Sequence, residues 1–357
     1  MPKNILIIHT GGTIGSYTDE KKKARVKSEE SVSKASLYLV SEFFKENKNA
    51  DITFENGNFP PSKTVLSEGM TLEKLEEIIT FIKNKSIERF DGVIVLHGTD
   101  TLSYSSSLFS FAFCDIKTPL FLVSGNKPPM DKSSNAYINF LNAVMLIEKG
   151  IAPNVYVTYK NSDNISRLYL GNNILQSKNF SDDFLPSKKK FCFELNEKNL
   201  PSILEKAREI SNKRNLSFII NTENLNGKVL LINPYTNLDY SLYEDAIKNK
   251  KVSAVVHSTY HSGTVSVTKE NAQPSKYSFL YFAKMCKENN VPLVVAPTHL
   301  GLDQYETVNI VSEKTDAMLL NMTSESAYAK LVLALSSGFE DGKIKEYMQT
   351  NINGEKL

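Results

Sequence analysis

The sequence has few cysteines, and they fall in no pattern that builds a metal site or a disulfide framework. Cys114, Cys192 and Cys286 are odd in number and far apart. This spacing fits neither zinc ligands nor a set of paired cysteines. We therefore expect no metal, and we expect a protein of the reducing cytoplasm.

The sequence also lacks an excess of charge and a long apolar run. Its formal net charge is +2, from 42 basic and 40 acidic residues, whereas nucleic-acid binding needs clustered positive charge. No apolar stretch approaches the ~18 residues of a membrane span. The apolar run in the amino-terminal segment MPKNILIIHTGG is too short for a signal peptide. We expect a soluble protein that binds neither nucleic acid nor membranes.

Short apolar segments of strand length alternate with helical patterns along the chain. The apolar segments include NILIIHT, GVIVLHG, PLFLVSG, NVYVTY, SAVVHSTY, PLVVAPT and DAMLLNM. Between them, TLEKLEEIITFIKNK places apolar residues at steps of three and four, after Thr71 as an N-cap. Continuous apolar strands that alternate with amphipathic helices predict an α/β fold, with a mostly parallel sheet flanked by helices on both faces.

The length of 357 residues predicts two domains. The alternation of strands and helices is interrupted by a Lys- and Asn-rich segment that contains one helical stretch, LPSILEKAREISNKR. We place the boundary there. The prediction is a larger amino-terminal domain over residues 1–190, a linker over 191–214, and a smaller carboxyl-terminal α/β domain over 215–357.

Two loops at predicted strand ends carry hydroxyl groups beside glycines. Residues 10–15 read TGGTIG and residues 97–101 read HGTDT. Ligands of open α/β sheets bind beyond the carboxyl ends of the strands. A threonine becomes a nucleophile when a neighbouring base takes its proton, and backbone N–H groups beside glycines can bind an oxyanion. Together the two loops indicate an acyl-transfer site.

Two other interpretations of these loops remain open on the residues alone. The first loop could bind phosphate, although its spacing fits neither G-x-G-x-x-G nor G-x-x-x-x-G-K-[ST]. Either loop could also be a structural turn, because Gly and Thr commonly end strands for backbone reasons. The presence of both loops on separate strands of one sheet favours the acyl-transfer site.

The pair TGGTIG and HGTDTL resembles the two signatures of the bacterial-type L-asparaginases and glutaminases, and is most similar to the cytoplasmic type I enzymes. The segments VSGNKPPMDKSSNAYINFLNAV, RLYLGN and GKVLLINPY extend the resemblance over nearly the whole chain. The resemblance implies two α/β domains and a homodimer or homotetramer with sites at subunit contacts. It implies no cofactor.

The resemblance also implies roles for the loop residues. Thr13 would be the nucleophile that forms an acyl-enzyme with a side-chain amide substrate. Thr99 would work with a lysine in the second half-reaction, and Asp100 would hold the substrate's amino group. The backbone at Gly12 and Thr99 would frame the oxyanion, and Gly98 would contact the substrate.

The family's lysine is the first departure, because its position falls on Gln176 in GNNILQSK. Glutamine has no titratable group that could act as a base, so Gln176 is left as a substrate-binding position. Lys178 lies two residues further on, on the same side of an extended segment, displaced by roughly 6–7 Å. Lys178 could supply the missing base, or it could be an ordinary solvated lysine.

The segment LSEGMT is the second departure. In the family the matching residues grip the substrate's α-carboxylate. Ser67 is retained here, but Glu68 would bring a negative charge near that carboxylate, and like charges in a confined site cost several kcal/mol. This favours a blocked, peptide-bound or amine-bearing substrate over free asparagine. The alternative is that Glu68 turns into solvent.

The loop after Thr13 is the third departure. The family has a tyrosine roughly ten or more residues after the nucleophile, whereas Tyr17 is the only tyrosine in this loop. Tyr17 could replace it or be a simple loop residue, and His261 is expected at the surface. The sequence predicts an asparaginase-type amidohydrolase that acts on a small or peptidyl amide. The alternative is a catalytically impaired homologue that binds a ligand or serves as a scaffold.

Overall fold

The computed structural model describes residues 2–19, 24–27, 29–187, 192–225, 227–270, 273–298, 301 and 304–356, without the side chains of residues 17–33 and 270. The chain divides into two compact units. The first comprises Met1–Ser217, Thr222–Asn224 and Ile352–Gly354. The second comprises Phe218–Asn221, Leu225–Asn351 and Glu355–Leu357. None of the helices within the described ranges is long and apolar enough to cross a membrane.

The first unit is built on a seven-stranded sheet and has two further pairs of short strands. The strands are β1 (Lys3–His9), β2 (Ser16–Asp19), β3 (Ala24–Lys27), β4 (Ile52–Asn56), β5 (Gly92–Leu96), β6 (Leu120–Val123), β7 (Val155–Lys160), β8 (Ser166–Leu170), β9 (Ile174–Leu175), β10 (Leu185–Pro186) and β11 (Cys192–Glu194). The order in the sheet is β11-β8-β7-β6-β5-β1-β4, and β2 pairs with β3 and β9 with β10. From β4 to β7 neighbouring strands are parallel, whereas β8 and β11 are antiparallel to their neighbours. Every residue of β5 and β6 is buried, as expected for central strands covered on both faces.

Five helices accompany this sheet in the described part of the first unit. They are α1 (Glu29–Glu46), α2 (Leu72–Lys83), α3 (Leu102–Ala112), α4 (Ala136–Glu148) and α5 (Leu200–Asn212). Helix α2 confirms its sequence pattern, since Leu75, Ile78, Ile79 and Ile82 are buried. The Thr71 hydroxyl accepts a hydrogen bond from the N–H of Lys74, which is the expected N-cap.

The segment 191–214, predicted as a linker, contributes structure to the first unit. Strand β11 pairs with β8 at the edge of the sheet. Helix α5 buries Ile203, Ala207 and Ile210 in the same hydrophobic core as the sheet. The charged residues that suggested a linker lie on the solvent face of an amphipathic helix. The first unit therefore runs to Ser217.

The second unit has a four-stranded parallel sheet. Its described strands and α-helices are β12 (Val229–Ile232), α6 (Glu244–Lys248), β13 (Ala254–His257), β14 (Lys269–Glu270), β15 (Gln273–Pro274), α7 (Phe279–Glu288), β16 (Leu293–Val295), α8 (Glu306–Lys314), β17 (Met318–Leu319), α9 (Ser324–Ser336) and α10 (Asp341–Gln349). The strand order in this sheet is β12-β13-β16-β17. The structure thus confirms the predicted α/β class, with a larger amino-terminal sheet and a smaller carboxyl-terminal one.

Candidate active site

The loop after β1 holds Thr13 at the start of a single 3-10 turn, Thr13–Gly15. Gly12 precedes it with φ 79° and ψ −174°, a conformation that only glycine adopts without strain. The Thr13 carbonyl accepts a hydrogen bond from Ser16 Oγ at 2.8 Å. Thr13 is half-buried, and its hydroxyl makes no hydrogen bond to any other described residue. The loop therefore fixes the backbone of Thr13 and leaves its hydroxyl unused.

Backbone hydrogen bonds join this loop to the segment that contains Ser67. Gly12 N–H donates to Val65 O at 2.9 Å, and Val65 N–H donates to Thr10 O at 3.1 Å. A Cβ on Gly11 would lie 2.0 Å from Val65 O, so only glycine permits this pairing. Because the Gly12 N–H is used by Val65, the glycine contributes through its close backbone contacts rather than as a free donor to a ligand.

The loop after β5 packs directly on the Thr13 loop. A Cβ on Gly12 would lie 2.1 Å from Gly98 Cα, and a Cβ on Gly98 would lie 2.4 Å from Ser67 Oγ. Real Cβ atoms do not approach other atoms so closely, which means that both positions require glycine. Gly98 consequently contacts both Gly12 and Ser67, and these contacts bring the two signature loops together.

Ser67 positions the carboxylate of Asp100. Ser67 is buried, and its Oγ donates to Asp100 Oδ2 at 2.6 Å while it accepts from Asp100 N–H at 3.1 Å. Thr101 Oγ1 donates to Ser67 O at 3.0 Å. The Asp100 residue itself is exposed. A carboxylate that is oriented by one buried hydroxyl and open to solvent can accept a substrate ammonium group.

Gln176, at the position of the family's lysine, supports the same loop. It follows β9, and its Nε2 donates to Asp100 O at 2.5 Å. Its Oε1 accepts from Ser103 Oγ at 2.7 Å. Ser103 lies in α3 and was not singled out from the sequence, where it is one of four closely spaced serines. The Gln176 amide therefore acts as a bridge between the loop and α3.

An open cleft of about 550 Å³ lies beside Thr99 and Asp100. Its lining residues are Thr99, Asp100, Gln176, Ser177, Lys178, Asn179, Phe180, Ser181, Asp182 and Phe184. Lys178 is exposed and shares this cleft with Thr99, but no hydrogen bond joins these two side chains. That Lys178 supplies the base stays a prediction from the sequence.

His97 is a neutral, buried residue at the start of the second signature loop, and the sequence predicted no role for it. Burial lowers the pKa of His97 to about 4. Its Nδ1 lies 2.7 Å from Gly98 O. Because a carbonyl only accepts, Nδ1 carries the proton. Nε2 is buried and has no partner within the described ranges. The ring therefore orients the Gly98 peptide beside the site, and the pattern that could have indicated this is a histidine at the end of a buried strand.

The remaining predicted residues fall in three places. Glu68 is exposed in the 3-10 turn Ser67–Gly69, directly after Ser67. The backbone of Tyr17 lies in β2, but its side chain is outside the described residues. His261 is exposed in the second unit. Across the described ranges, no three His, Cys, Asp or Glu side chains come together as a metal site would require.

Comparisons with known proteins point to one family. The family described as "Asparaginase, N-terminal" matches residues 4–190, which is more than half of the chain. L-asparaginase 1 of Escherichia coli K12 is 24% identical over 369 residues, covering 99% of this chain and 98% of that protein. A glutamyl-tRNA(Gln) amidotransferase subunit of Methanobrevibacter smithii is 26% identical over 368 residues, covering 99% of this chain and 77% of that protein.

Solved structures show the same fold over the full chain. L-asparaginase I from Vibrio cholerae superposes with a TM-score of 0.70 at 20% identity and covers 100% of both chains. The probable cytoplasmic L-asparaginase from Campylobacter jejuni superposes with a TM-score of 0.65 at 18% identity, covering 98% of this chain and 100% of that chain. On its sequence match and its fold, this chain belongs to the asparaginase family and is an L-asparaginase-like amidohydrolase.

Proposed function

We propose that the protein hydrolyses the side-chain amide of asparagine, or of an asparagine-containing substrate, through an acyl-enzyme on Thr13. The observation that supports this proposal is the contact between Gly12 and Gly98, which lie in the Thr13 loop and in the loop of Thr99 and Asp100. In our proposal the two loops form one site, with Thr13 as the nucleophile and Asp100 as the carboxylate that binds the substrate. In an acyl-transfer reaction these two groups attack the amide and orient the substrate.

In the first half-reaction, Thr13 Oγ1 attacks the amide carbon as its proton passes to a base. The N–H groups of Thr13 and Thr99 are the donors we assign to the oxyanion, since neither makes a hydrogen bond within the described residues. The C–N bond then breaks, and ammonia leaves with the proton. Asp100 holds the substrate's ammonium group during this step.

In the second half-reaction, water attacks the ester on Thr13, releases the carboxylic acid and returns the proton to Thr13. Thr99 assists this attack in our proposal, and Lys178 in the adjoining cleft supplies the base. Tyr17 is a further catalytic residue in our proposal. Gln176 takes no proton in either step, because its amide does not titrate.

The test is ammonia release from asparagine, glutamine and an asparagine-containing peptide by the wild-type protein and by Thr13→Ala. We expect Thr13→Ala to lower kcat/KM by about 10³ or more, since no covalent intermediate can form without the nucleophile. Thr53→Ala is the matched control, because Thr53 is an exposed residue of the same sheet. Equal activity of Thr13→Ala and wild type would disprove the assignment.

The second candidate function is a ligand-binding or scaffold homologue without turnover. The observation that favours it is Gln176, which replaces a titratable lysine by an amide bonded to Asp100 O and Ser103. Calorimetric binding of aspartate without ammonia release from any of the three substrates would establish this function instead. In either case we propose a cytoplasmic homodimer or homotetramer.

A further inference from the structure

The turn between β9 and β10 places a phenylalanine where the backbone favours glycine. Ser181 N–H donates to Lys178 O at 3.0 Å, which closes a four-residue turn over 178–181. Phe180 is the third residue of this turn and has φ 60°. A turn with positive φ at this position normally has Gly or Asn there. A bulky residue in this conformation is strained.

The Phe180 ring gains no compensating burial, because the residue is fully exposed. An exposed aromatic ring forgoes the stabilisation that burial of its apolar surface would give. Phe180 therefore destabilises the folded protein through its strained backbone and gains no stabilisation from burial of its ring. Strained residues of this kind concentrate at binding and active sites.

Side-chain hydrogen bonds hold this turn in place. Ser177 Oγ lies 2.7 Å from Ser181 O and 2.8 Å from Asp183 O, and the two carbonyls share its single proton. The Asp183 carboxylate accepts two bonds of 2.6 Å from the N–H and the hydroxyl of Ser162, which follows β7. Phe184 is buried at the end of the loop. The backbone of the turn that carries Phe180 is thus fixed by hydrogen bonds on both sides.

Phe180 lines the same cleft as Thr99 and Asp100. The cleft volume of about 550 Å³ lies in the range of sites that hold drug-sized ligands, which are larger than one small amino acid. A ligand whose ammonium group is bound by Asp100 would extend along the cleft toward the ring. An apolar group at its far end could then pack on the ring.

The charge on Glu68 favours the same kind of ligand. Glu68 is adjacent to Ser67, which bonds the Asp100 carboxylate. Free asparagine would bring its α-carboxylate to this acidic surface, where like charges repel. In a peptide that begins with asparagine, a neutral peptide bond replaces that carboxylate. The substrate keeps the ammonium group for Asp100 and loses the repulsive charge.

We propose that the cleft binds short peptides that begin with asparagine and carry an apolar or aromatic second residue, which packs on Phe180. The amide hydrolysis of such a peptide rests on the proposed function, whereas its binding rests only on the part that assigns the ammonium group to Asp100. Phe180 is on this basis the residue that determines substrate specificity.

The test measures binding by calorimetry of the product dipeptides Asp-Phe and Asp-Gly and of aspartate, alongside ammonia release from Asn-Phe and asparagine. We expect the wild-type protein to bind Asp-Phe about tenfold more tightly than Asp-Gly. Phe180→Asn suits the positive φ of the turn and removes the ring. It should keep the Tm at or above the wild-type value and abolish the preference for Asp-Phe.

Two variants control for the change at this position. Phe180→Tyr keeps the aromatic ring and should keep the preference. Leu185→Asn alters another exposed apolar residue of the same hairpin and should also leave the preference intact. Equal binding of Asp-Phe and Asp-Gly by wild type, or an unchanged preference in Phe180→Asn, would overturn the proposal.

The two proposals fail in different ways. Binding of Asp-Phe that depends on Phe180, with no ammonia released from Asn-Phe or asparagine, supports the cleft and contradicts the hydrolase. Release of ammonia that depends on Thr13, without any preference for Asp-Phe, supports the hydrolase and overturns the assignment of the cleft.

Discussion

In each of the two main sheets, a strand with parallel neighbours leads into a buried histidine that is followed by a small residue and a threonine. The sequences are His97-Gly98-Thr99 after β5 and His257-Ser258-Thr259 at the end of β13. In both, the histidine Nδ1 bonds the carbonyl of the next residue, at 2.7 Å and 2.5 Å. Burial lowers the pKa of both histidines to about 4. The same local sequence thus gives the same backbone anchor.

The two loops differ in what their side chains do next. Ser258 Oγ shares a hydrogen bond with Ser324 Oγ at 2.9 Å, and Thr259 Oγ1 donates to Pro297 O at 2.7 Å. Gly98 instead has no side chain and contacts the Gly12 backbone. The Thr99 hydroxyl makes no hydrogen bond to another described residue. A strand end becomes a site when its backbone can meet a second loop and its hydroxyl is not used by the scaffold.

Gly98→Ser should have the largest effect on this comparison, because it gives residues 97–99 the sequence His-Ser-Thr of residues 257–259. The new Cβ would lie 2.4 Å from Ser67 Oγ and 2.8 Å from Gly12 Cα, so the Thr13 loop must move away. We expect kcat/KM for ammonia release to fall by about 10² or more, since small displacements of reacting groups are costly. Gly69→Ala is the control, as nothing lies within 4 Å of its added Cβ. Wild-type kinetics for Gly98→Ser would contradict the close contact.

Thr99→Val and Thr259→Val compare the two hydroxyls directly. We expect Thr99→Val to lower kcat by about 10² with little change in Tm, because its hydroxyl assists hydrolysis of the acyl-enzyme and does not serve packing. Thr259→Val should lower the free energy of unfolding by about 1 kcal/mol, because it loses the bond to Pro297 O. Its kcat/KM should stay unchanged. The reverse outcome would mean that the two loops have exchanged roles.

The parts of the fold that depend on local pattern were predictable from the sequence. Helix α2 follows from its apolar spacing and from the Thr71 cap, and both are properties of neighbouring residues. The proximity of the two signature loops follows from the shared edge of a parallel sheet, since β1 and β5 are neighbours. The course of residues 191–214 was less predictable, because a polar helix face resembles a linker in composition.

The contacts within the site depend on distances that no local pattern encodes. Ser67 was expected to grip a substrate carboxylate, and the structure shows its bond to Asp100. From the sequence, Gln176 indicated only that the family's lysine is missing. The structure shows that its amide bridges Asp100 and Ser103. The positive φ of Phe180 has no counterpart in the sequence, because glycine or asparagine would have been expected there. Such features arise from tertiary contacts.

The two buried histidines, His97 and His257, predict a loss of stability in acid. Each has a pKa of about 4 in the folded protein against 6.5 as the ordinary value. The unfolded chain therefore binds more protons between these values, and the free energy of unfolding falls as the pH drops from 6.5 to 4. The loss is at most about 3 kcal/mol for each histidine, and above pH 6.5 neither contributes.

Urea unfolding at pH 7, 5.5 and 4.5 measures this dependence. The two histidines together lower the free energy of unfolding as the pH falls, and we expect His257→Gln to remove about half of that decrease. Ammonia release should stay unchanged. His261→Gln is the matched control, because His261 is exposed in the same unit, and it should leave the dependence as in wild type. If both variants behave alike, burial of His257 is not the cause.

Ser103→Ala has the smallest expected effect. It tests whether the hydrogen bond from α3 to Gln176 helps to position the loop that contains Asp100. The change removes the bond from Ser103 Oγ to Gln176 Oε1 but leaves Gln176 Nε2 bonded to Asp100 O. Because Gln176 is exposed, water can replace the lost donor, and we expect kcat/KM to fall only about threefold.

Ser110→Ala is the matched comparison for Ser103→Ala, since Ser110 is also buried in α3 and its hydroxyl donates to the Ser106 carbonyl of the same helix. It should lower the Tm by a similar amount without changing kcat/KM. A threefold loss in Ser103→Ala alone would mean that Gln176 acts on Asp100 as a positioning residue. Equal kinetics in the two variants would confine the Gln176 bridge to stability, and the first loop would then be held by Ser67 and the glycine contacts.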